Sequence, residues 1–254
     1  YRRTMEVPAF VAPVSDSGES DKQGAGFGAQ MSDSPESDTQ GRDSEGFSRR
    51  PGEERQHLQA AGSQYGWMAD SRPETMIRDA KESALHLGVD TLDLLYSHGP
   101  DPAVPYEDQC GALKQLLDEG VIKYAGISRV NNEQIDLARG IIGSGLVAVQ
   151  NQFSPSHPDP EHTMEHCAEL GLAFVCWSPL GGFLDTFDQS AYDPFRTVAA
   201  QRGCSYQRVV LAWELTRYER LFTIPSARNP QEINDSFAAT QLQLTQEELA
   251  MLPC

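Results

Sequence analysis

The chain has few apolar residues and few positive charges, and each shortage excludes a class of protein. Hydrophobic residues make up 39% of its 254 residues, and no apolar run approaches the roughly 20 residues that a membrane-spanning helix needs. The chain has 20 Lys and Arg against 37 Asp and Glu, so its formal net charge is -17. We therefore expect neither a nucleic acid nor an anionic membrane as a partner, although a local basic pocket for a phosphate stays compatible with this charge.

The cysteines form no pattern of pairs. There are five of them, an odd number, and none has the C-x-x-C spacing of a redox or metal motif. The simplest interpretation is a reduced protein with inert thiols. The first residues also show no charged segment followed by an apolar one, the pattern of a secretory leader. Both observations predict a cytoplasmic location.

Residues 1–66 differ in composition from the rest of the chain. Between residue 15 and about residue 60 they are rich in Ser, Asp, Glu, Gly, Gln and Arg, and the run 31–46 has almost no apolar side chain. Such a segment cannot bury enough apolar surface to offset its conformational entropy. We predict an atypical, largely disordered polar region over 1–66, with at most one short strand through Val7, Phe10 and Val11.

Residues 67–254 alternate short apolar runs with amphipathic stretches. Buried-strand patterns are predicted at 91–97, 123–128, 146–150, 172–177 and 221–224. Helical patterns are predicted at 71–87, 106–119, 132–140, 161–170, 195–202, 206–217, 230–240 and 245–252. Ser71 is the predicted N-cap of the first of these helices. This α/β alternation implies a parallel sheet, in either an open doubly wound fold or a (β/α)8 barrel. No G-x-G-x-x-G follows a first strand, which weighs against a Rossmann domain.

Five segments carry a resemblance to a known family. They are Leu87–His98, Leu117–Ser128, Val149–Asn151, Trp177–Gly181 and Ile224–Arg228. In their order and spacing they resemble the aldo-keto reductases, which are NAD(P)H-dependent carbonyl reductases built on a (β/α)8 barrel. The resemblance covers about residues 71–252. It implies a TIM barrel domain over residues 67–254, incomplete, with about five recognisable βα units.

The resemblance implies roles for individual residues. His98 matches the histidine that orients the substrate carbonyl, so the expected substrate is a small-molecule aldehyde, ketone or sugar carbonyl. Ser128 and Gln150 match residues that bind the nicotinamide carboxamide, and Trp177 stands where an aromatic ring stacks on the nicotinamide. Arg228 resembles the basic residue near the adenosine 2′-phosphate, which implies NADP(H) as the cofactor.

The remaining matches extend the implied cofactor site along the chain. They are Ser178, Leu180 and Gly181 in the loop that wraps the pyrophosphate, and Glu232 and Asp235 near the adenine. Independently of the family, all these positions follow predicted strands. In a barrel the loops that follow the strands build the active site.

The chain departs from the family's pattern at one cofactor position and in its catalytic half. Among the implied cofactor-binding residues, Arg129 stands where many members have Asn, although some relatives have Arg there. The family's proton donor is a tyrosine in an early Asp-Thr-Ala…Tyr-Gly motif, with a lysine after the third strand, and neither motif is visible here. The four lysines, Lys22, Lys81, Lys114 and Lys123, do not match that position. Because a barrel with missing strands also has open edges, we expect reduced stability, weak carbonyl reduction, or both.

Two rival functions stay open at this point. One is a non-catalytic protein that retains nucleotide affinity or acts as a subunit. The other is a zinc peptidase, because His162-Thr-Met-Glu165-His166 has the H-x-x-E-H pattern. In the barrel interpretation that pattern falls on a solvated outer helix, so we predict no metal site. The pattern of residues indicates neither the identity of the substrate nor an oligomeric state.

Overall fold

The computed structural model of the chain describes residues 70–181 and 188–253. The predicted polar region 1–66, its short strand and the domain boundary at residue 67 lie outside the described residues. The interpretation of these segments stays a prediction.

Five strands and eight α-helices alternate within the described residues. The strands are β1 Leu92–Ser97, β2 Ile122–Ser128, β3 Leu146–Gln152, β4 Ala173–Trp177 and β5 Leu221–Thr223. The helices are α1 Pro73–Leu87, α2 Tyr106–Asp118, α3 Asn132–Ile142, α4 Thr163–Leu170, α5 Asp193–Arg202, α6 Tyr206–Leu215, α7 Pro230–Ala238 and α8 Gln246–Met251. Every strand and helix predicted over residues 67–254 is present, and no end differs by more than two residues.

The sheet is parallel and its strands follow one another in chain order, β1-β2-β3-β4-β5. Each connection therefore moves one strand in the same direction. Right-handed crossovers that all step the same way place their helices on one face of the sheet, whereas a doubly wound sheet reverses its order. The order thus favours the barrel over the open sheet, with five βα units in the described part of the chain.

Local sequence explains where the helices begin and end. Asn131 and Gln134 form a capping box at the start of α3, each side chain binding the other's backbone N–H. Gly88 ends α1 in the left-handed conformation that glycine adopts without strain. One predicted cap is wrong: Arg72, not Ser71, is the N-cap of α1, and the backbone N–H of Ser71 instead donates to Asp101 at 3.1 Å.

The two faces of the sheet differ in burial. Side chains alternate between the faces along a strand, and those turned to the helices are almost fully buried. They include Ala125, Ile127, Val149, Phe174 and Cys176. Exposed apolar side chains on the opposite, inner face include Leu94, Tyr124 and Phe222. Within the described ranges, no helix has the length and apolar character needed to cross a membrane.

Candidate active site

Four of the predicted site residues lie on one rim of the sheet. His98 follows β1, Ser128 ends β2, Gln150 lies near the end of β3, and Trp177 ends β4. The strands are parallel and adjacent in chain order, so their carboxyl ends share one edge. Neighbouring strands are about 4.8 Å apart, so roughly 15 Å separates the strand of His98 from that of Trp177. The rim is therefore wide enough for an extended ligand.

Ser128 is fixed against the neighbouring strand. It is 1% exposed, pairs with Gln150 in the β2–β3 register, and donates its hydroxyl hydrogen to the Gln150 carbonyl oxygen at 2.7 Å. The lone pairs of Ser128 Oγ are then left to accept a hydrogen bond. The backbone N–H of Arg129 donates to the same carbonyl oxygen at 3.1 Å, which holds the start of the next loop against β3.

Arg129 follows β2 in a strained backbone conformation, with φ of 57°. Residues other than glycine rarely adopt a positive φ, and such outliers concentrate at binding and catalytic sites. The Arg129 guanidinium carbon lies 5.3 Å from the centroid of the Trp177 ring, a cation–π distance. Two residues far apart in the chain are thus in contact on the rim.

His98 has an exposed side chain, and no hydrogen bond links it to any residue that the structure describes. An imidazole in this position can donate to a group that approaches the rim from solvent. His98 comes directly before Gly99, and a Cβ at Gly99 would lie 3.4 Å from Arg129 Cδ. The ends of β1 and β2 are therefore in close contact.

Asn151 holds this rim together, although no individual role was predicted for it from the sequence. Its Oδ1 accepts the backbone N–H of Val130 at 3.1 Å, and its Nδ2 donates to the Val130 carbonyl at 2.7 Å. Both backbone groups of one loop residue are thus satisfied by one amide side chain. A polar amide that directly follows the buried part of a strand was the available signal for this role.

A polar cavity opens beside Arg129 and Trp177. It has a volume of about 300 Å³ and includes the loop 157–161 after β3, to which the sequence assigned no function. Its lining residues are Arg129, Val130, Asn131, Asn151, Gln152, His157, Pro158, Asp159, Pro160, Glu161, Thr163 and Trp177. Proline-rich loops of this kind carry no recognisable motif, so only the fold reveals the cavity.

The predicted pyrophosphate loop is a tight turn after β4. Ser178 has a positive φ of 49°, and the Gly181 N–H donates to the Ser178 carbonyl at 2.8 Å. Leu180 packs against the hydrophobic core, which anchors the turn. Residues 182–187, which continue this loop, lie outside the described part of the chain.

The predicted adenine-side residues lie at the start of α7 and along it. The side chain of Arg228 is 88% exposed and forms an ion pair with Glu232 at 2.9 Å. This contact, together with the Arg228 backbone N–H, lowers the pKa of Glu232. Asp235 is bound by Arg208 and by the hydroxyl of Ser205. Arg228 thus presents its charge to solvent, whereas Asp235 is already paired within the protein.

The H-x-x-E-H pattern does not assemble a metal site in the structure. His162 precedes α4 and pairs with Glu165 at 2.7 Å, whereas His166 bonds Asp136 on α3 at 2.8 Å. The two histidines are thus engaged with different carboxylates. Within residues 70–181 and 188–253, no three potential ligands are grouped to hold a metal ion.

Comparison with known proteins gives one consistent result. The model of the aldo/keto reductase family matches residues 56–253. Pyridoxine 4-dehydrogenase of Escherichia coli (strain K12) is 28% identical over 198 residues, which are 75% of this chain and 67% of that protein. Across three such curated relatives, the chain spans 59% to 67% of their length.

Solved structures agree. The aldose reductase of Giardia lamblia matches with a TM-score of 0.64 and 25% identity, covering 73% of this chain and 68% of that one. The aldo-keto reductase of Bombyx mori, solved in complex with NADP, matches with a TM-score of 0.61 and 22% identity, over 77% of this chain and 70% of that one. These likenesses confirm the barrel fold predicted from the sequence.

Proposed function

Because this chain belongs to the aldo/keto reductase family, we propose that it reduces the carbonyl group of an aldehyde, ketone or sugar to an alcohol, with NADPH as the hydride donor. The observation that carries this proposal is the single rim that His98, Ser128, Gln150 and Trp177 share. The bound cofactor would supply the hydride. The tasks of this chain are to hold a flat ring and to polarise a carbonyl beside it.

The residues at β2 to β4 fit a nicotinamide group. A carboxamide offers both N–H donors and a carbonyl acceptor, and the lone pairs of Ser128 Oγ together with the Gln150 side chain can bind them. The indole of Trp177 offers a flat face for stacking. Arg129, next to Ser128, completes this set in the proposal. These groups would recognise the carboxamide and the flat face of the ring, and this recognition does not depend on a charge on the ring.

The residues near β5 fit the phosphate end of the cofactor. Arg228 has only Glu232 as an ion-pair partner in the described residues, and its planar guanidinium suits a phosphate. It also lies just before the N-terminus of α7, where anions are stabilised. We therefore propose NADP(H) rather than NAD(H). In this arrangement Ser178, Leu180 and Gly181 border the pyrophosphate, and Glu232 and Asp235 lie on the adenine side.

His98 is proposed to act on the substrate. Its exposed imidazole would donate a hydrogen bond to the carbonyl oxygen and stabilise the negative charge that develops there. The NADP complex of the Bombyx mori relative supports the cofactor assignment. A cytoplasmic location is part of this proposal, and three of the four described cysteines are buried as free thiols.

One observation favours a second candidate, a protein that binds the nucleotide without turnover. The three lysines in the described part of the chain are all engaged in surface ion pairs: Lys81 with Glu119, Lys114 with Asp118, and Lys123 with Asp93. None of them belongs to the rim residues that could assist a proton donor. Carbonyl reduction needs a proton on oxygen as well as a hydride on carbon.

Titration with NADPH, followed by single-turnover reduction of a generic aldehyde, separates the two candidates. Binding with turnover supports the reductase, and binding without turnover supports the nucleotide-binding protein. Failure to bind NADPH contradicts both. His98→Ala should abolish turnover while leaving NADPH binding intact. His166→Ala, on the outer helix α4, is the matched control and should leave turnover unchanged.

A further inference from the structure

We propose that Gln109 is a positioning residue, which fixes the loop after β1 and through it the direction of the His98 imidazole. Residues 98–105 form this loop, between the last residue of β1 and the first residue of α2. The inference rests on the proposed function, which assigns the substrate carbonyl to His98. It deepens that function by naming the side chain that keeps His98 in place on the rim.

The loop after β1 has few backbone groups with which to hold its own shape. Three of its residues are proline, at Pro100, Pro102 and Pro105. Proline stiffens the chain by fixing φ, but it has no N–H to donate. In the described sheet β1 also lies at an edge, so only β2 supports it from the side. The loop therefore depends on side chains to complete its hydrogen bonds.

Gln109, near the start of α2, supplies three of these hydrogen bonds. Its Oε1 accepts the Asp101 backbone N–H at 3.1 Å, and its Nε2 donates to the Asp101 and Val104 carbonyls at 2.9 and 2.8 Å. The residue is 2% exposed. Because both N–H groups of the amide and its oxygen are engaged, the side chain is held in a single orientation.

Asp101 carries these contacts through the rest of the loop. One of its carboxylate oxygens accepts the backbone N–H of Ala103 at 2.8 Å, and the other accepts that of Ser71, just before α1, at 3.1 Å. The N–H of Val104 donates to the Asp101 carbonyl at 3.2 Å. Together with the bond to Gln109, these contacts pair every backbone N–H from Asp101 to Val104.

Only Gly99 and Pro100 separate His98 from this network. The imidazole has no hydrogen bond to any residue in the described part of the chain, so the backbone on either side must position it. On one side that backbone is β1, and on the other it is the stretch of Pro100 and Asp101. Gly99 is conformationally free, so it cannot hold His98 once Asp101 is released from Gln109.

The first readouts are turnover and cofactor affinity of the full chain. Gln109→Met keeps the approximate volume of the side chain and removes all three hydrogen bonds. We expect the single-turnover rate of aldehyde reduction to fall about 10- to 100-fold, since a small displacement of a positioned group has an effect of this size. The Kd for NADPH should not change, because the groups proposed to bind the cofactor follow β2 to β5. Circular dichroism shows that the variant is folded under these conditions.

The second readout is the direction of His98 in the free protein, without cofactor. Nuclear magnetic resonance resolves the ring signals of the six histidines, and the signal that is lost in His98→Ala belongs to His98. In Gln109→Met this signal should shift or broaden, while the other histidine signals stay in place. A network with a merely structural role would lower stability without moving the His98 signal selectively.

A pH-dependent rescue and a matched control complete the experiment. In Gln109→Glu the uncharged carboxyl group can still accept and donate, whereas the ionised carboxylate cannot donate to the two carbonyls. The ratio of its turnover to that of the wild-type chain should therefore rise as the pH falls. This variant also decides the test if the methionine variant does not fold. Gln115, exposed on the same helix and bound to Glu119 at 2.7 Å, gives the control Gln115→Met, which should change no readout.

A folded Gln109→Met variant with wild-type turnover and a wild-type His98 signal overturns this inference alone. Loss of turnover with an unchanged His98 signal overturns it as well, because Gln109 would then act by another route. If the wild-type chain itself does not reduce an aldehyde, the proposed function fails. The His98 signal then still shows whether Gln109 positions the imidazole, so the two failures are distinguishable.

Discussion

Phe174 and Phe222 lie on the neighbouring strands β4 and β5, yet Phe174 is 1% exposed and Phe222 is 58% exposed. The difference is the face of the sheet: Phe174 points to the helices, and Phe222 points to the inner side. The helix-facing residues are sealed by packing, whereas the inner residues remain accessible below the rim that carries His98 and Trp177. Alternate residues of the same strands are therefore either packed against the helices or accessible, and the proposed site lies at the rim above the accessible residues.

The largest expected difference in stability is between two alanine variants, one on each face of the sheet. We expect Phe174→Ala to lower the free energy of unfolding by about 3–5 kcal/mol, because it removes a buried ring and leaves a cavity. Phe222→Ala should change it by less than about 1 kcal/mol, because little contact is lost. Urea unfolding followed by circular dichroism measures both. Equal losses in the two variants would show that the inner face is packed as tightly as the helix face.

Glu214 on α6 is the exception on the packed side. Its side chain is fully buried, and neither carboxyl oxygen has a hydrogen-bond partner among the described residues. The neighbouring Cys176 thiol donates instead to the Phe153 carbonyl at 2.9 Å. Burial raises the pKa of Glu214 well above 4.5. We expect Glu214→Leu to raise the free energy of unfolding at pH 7 by about 1–3 kcal/mol, since a buried unpaired polar group is removed.

The raised pKa of Glu214 also predicts how the stability of the protein changes with pH. The folded state holds a proton on Glu214 that the unfolded state releases above pH 4.5, so the wild-type protein loses stability as pH rises from 4.5 towards the raised pKa. Glu214→Leu should remove this decline. Glu248 shows the opposite pH dependence. Its hydrogen bonds to Arg202 lower its pKa to about 2, so its contribution to the free energy of unfolding is present above pH 4.5 and is lost as the pH falls below that value. Urea unfolding of the wild-type protein and of Glu214→Leu at a series of pH values between about 3 and 9 separates the effects of Glu214 and Glu248. A wild-type stability that does not fall above pH 4.5 would contradict the assignment for Glu214.

Asn151 tests whether the rim depends on a single side chain. Asn151→Leu leaves the N–H and the carbonyl of Val130 without their partner, so we expect a loss of about 1–3 kcal/mol in stability. NADPH affinity should also fall, because Arg129 precedes the released residue. Asn234, exposed on α7, provides the control substitution Asn234→Leu. Urea melts and NADPH titration measure the two effects. Normal binding by Asn151→Leu would show that the pair of hydrogen bonds between Asn151 and Val130, the Asn151 clamp, does not shape the site.

The smallest effect is expected from Arg228→Ala, which concerns the phosphate end of the proposed cofactor site. Arg228→Ala should weaken NADPH binding roughly tenfold and leave NADH binding unchanged, because only NADPH carries the 2′-phosphate. Arg220, exposed and bound to the Gly171 carbonyl at 2.9 Å, is the matched control. Equal losses for both nucleotides in Arg228→Ala would contradict a phosphate contact at this position.

The linear pattern of residues was enough to predict the elements and their order. The apolar runs before His98, Ser128 and Trp177 are short and bounded by turn residues, which identifies them as buried strands. Helix ends could also be predicted from the sequence, because Gly88 and Gly171 end two of the helices in the left-handed conformation that glycine favours. Ser71 was the wrong cap because the helix begins one residue later, after Arg72, which caps it without a side-chain hydrogen bond.

Contacts between separate loops could not be predicted from the sequence alone. The Arg129–Trp177 stack, the Asn151 clamp and the cavity at residues 157–161 each join segments far apart in the sequence. They depend on the order of the strands and on their register. A one-residue shift in register would turn Ser128 and Trp177 to the opposite face.

The sequence by itself determined that this protein alternates strands and helices, and where each of these elements lies to within two residues, because hydrophobic periodicity and turn chemistry are local. Only the tertiary structure decided which of those strand-end residues touch, that Glu214 is buried with no hydrogen-bond partner among the described residues, and that Arg129 lies on Trp177. The physical reason is that burial and pairing depend on neighbours that the fold supplies and that the position of a residue along the chain does not specify.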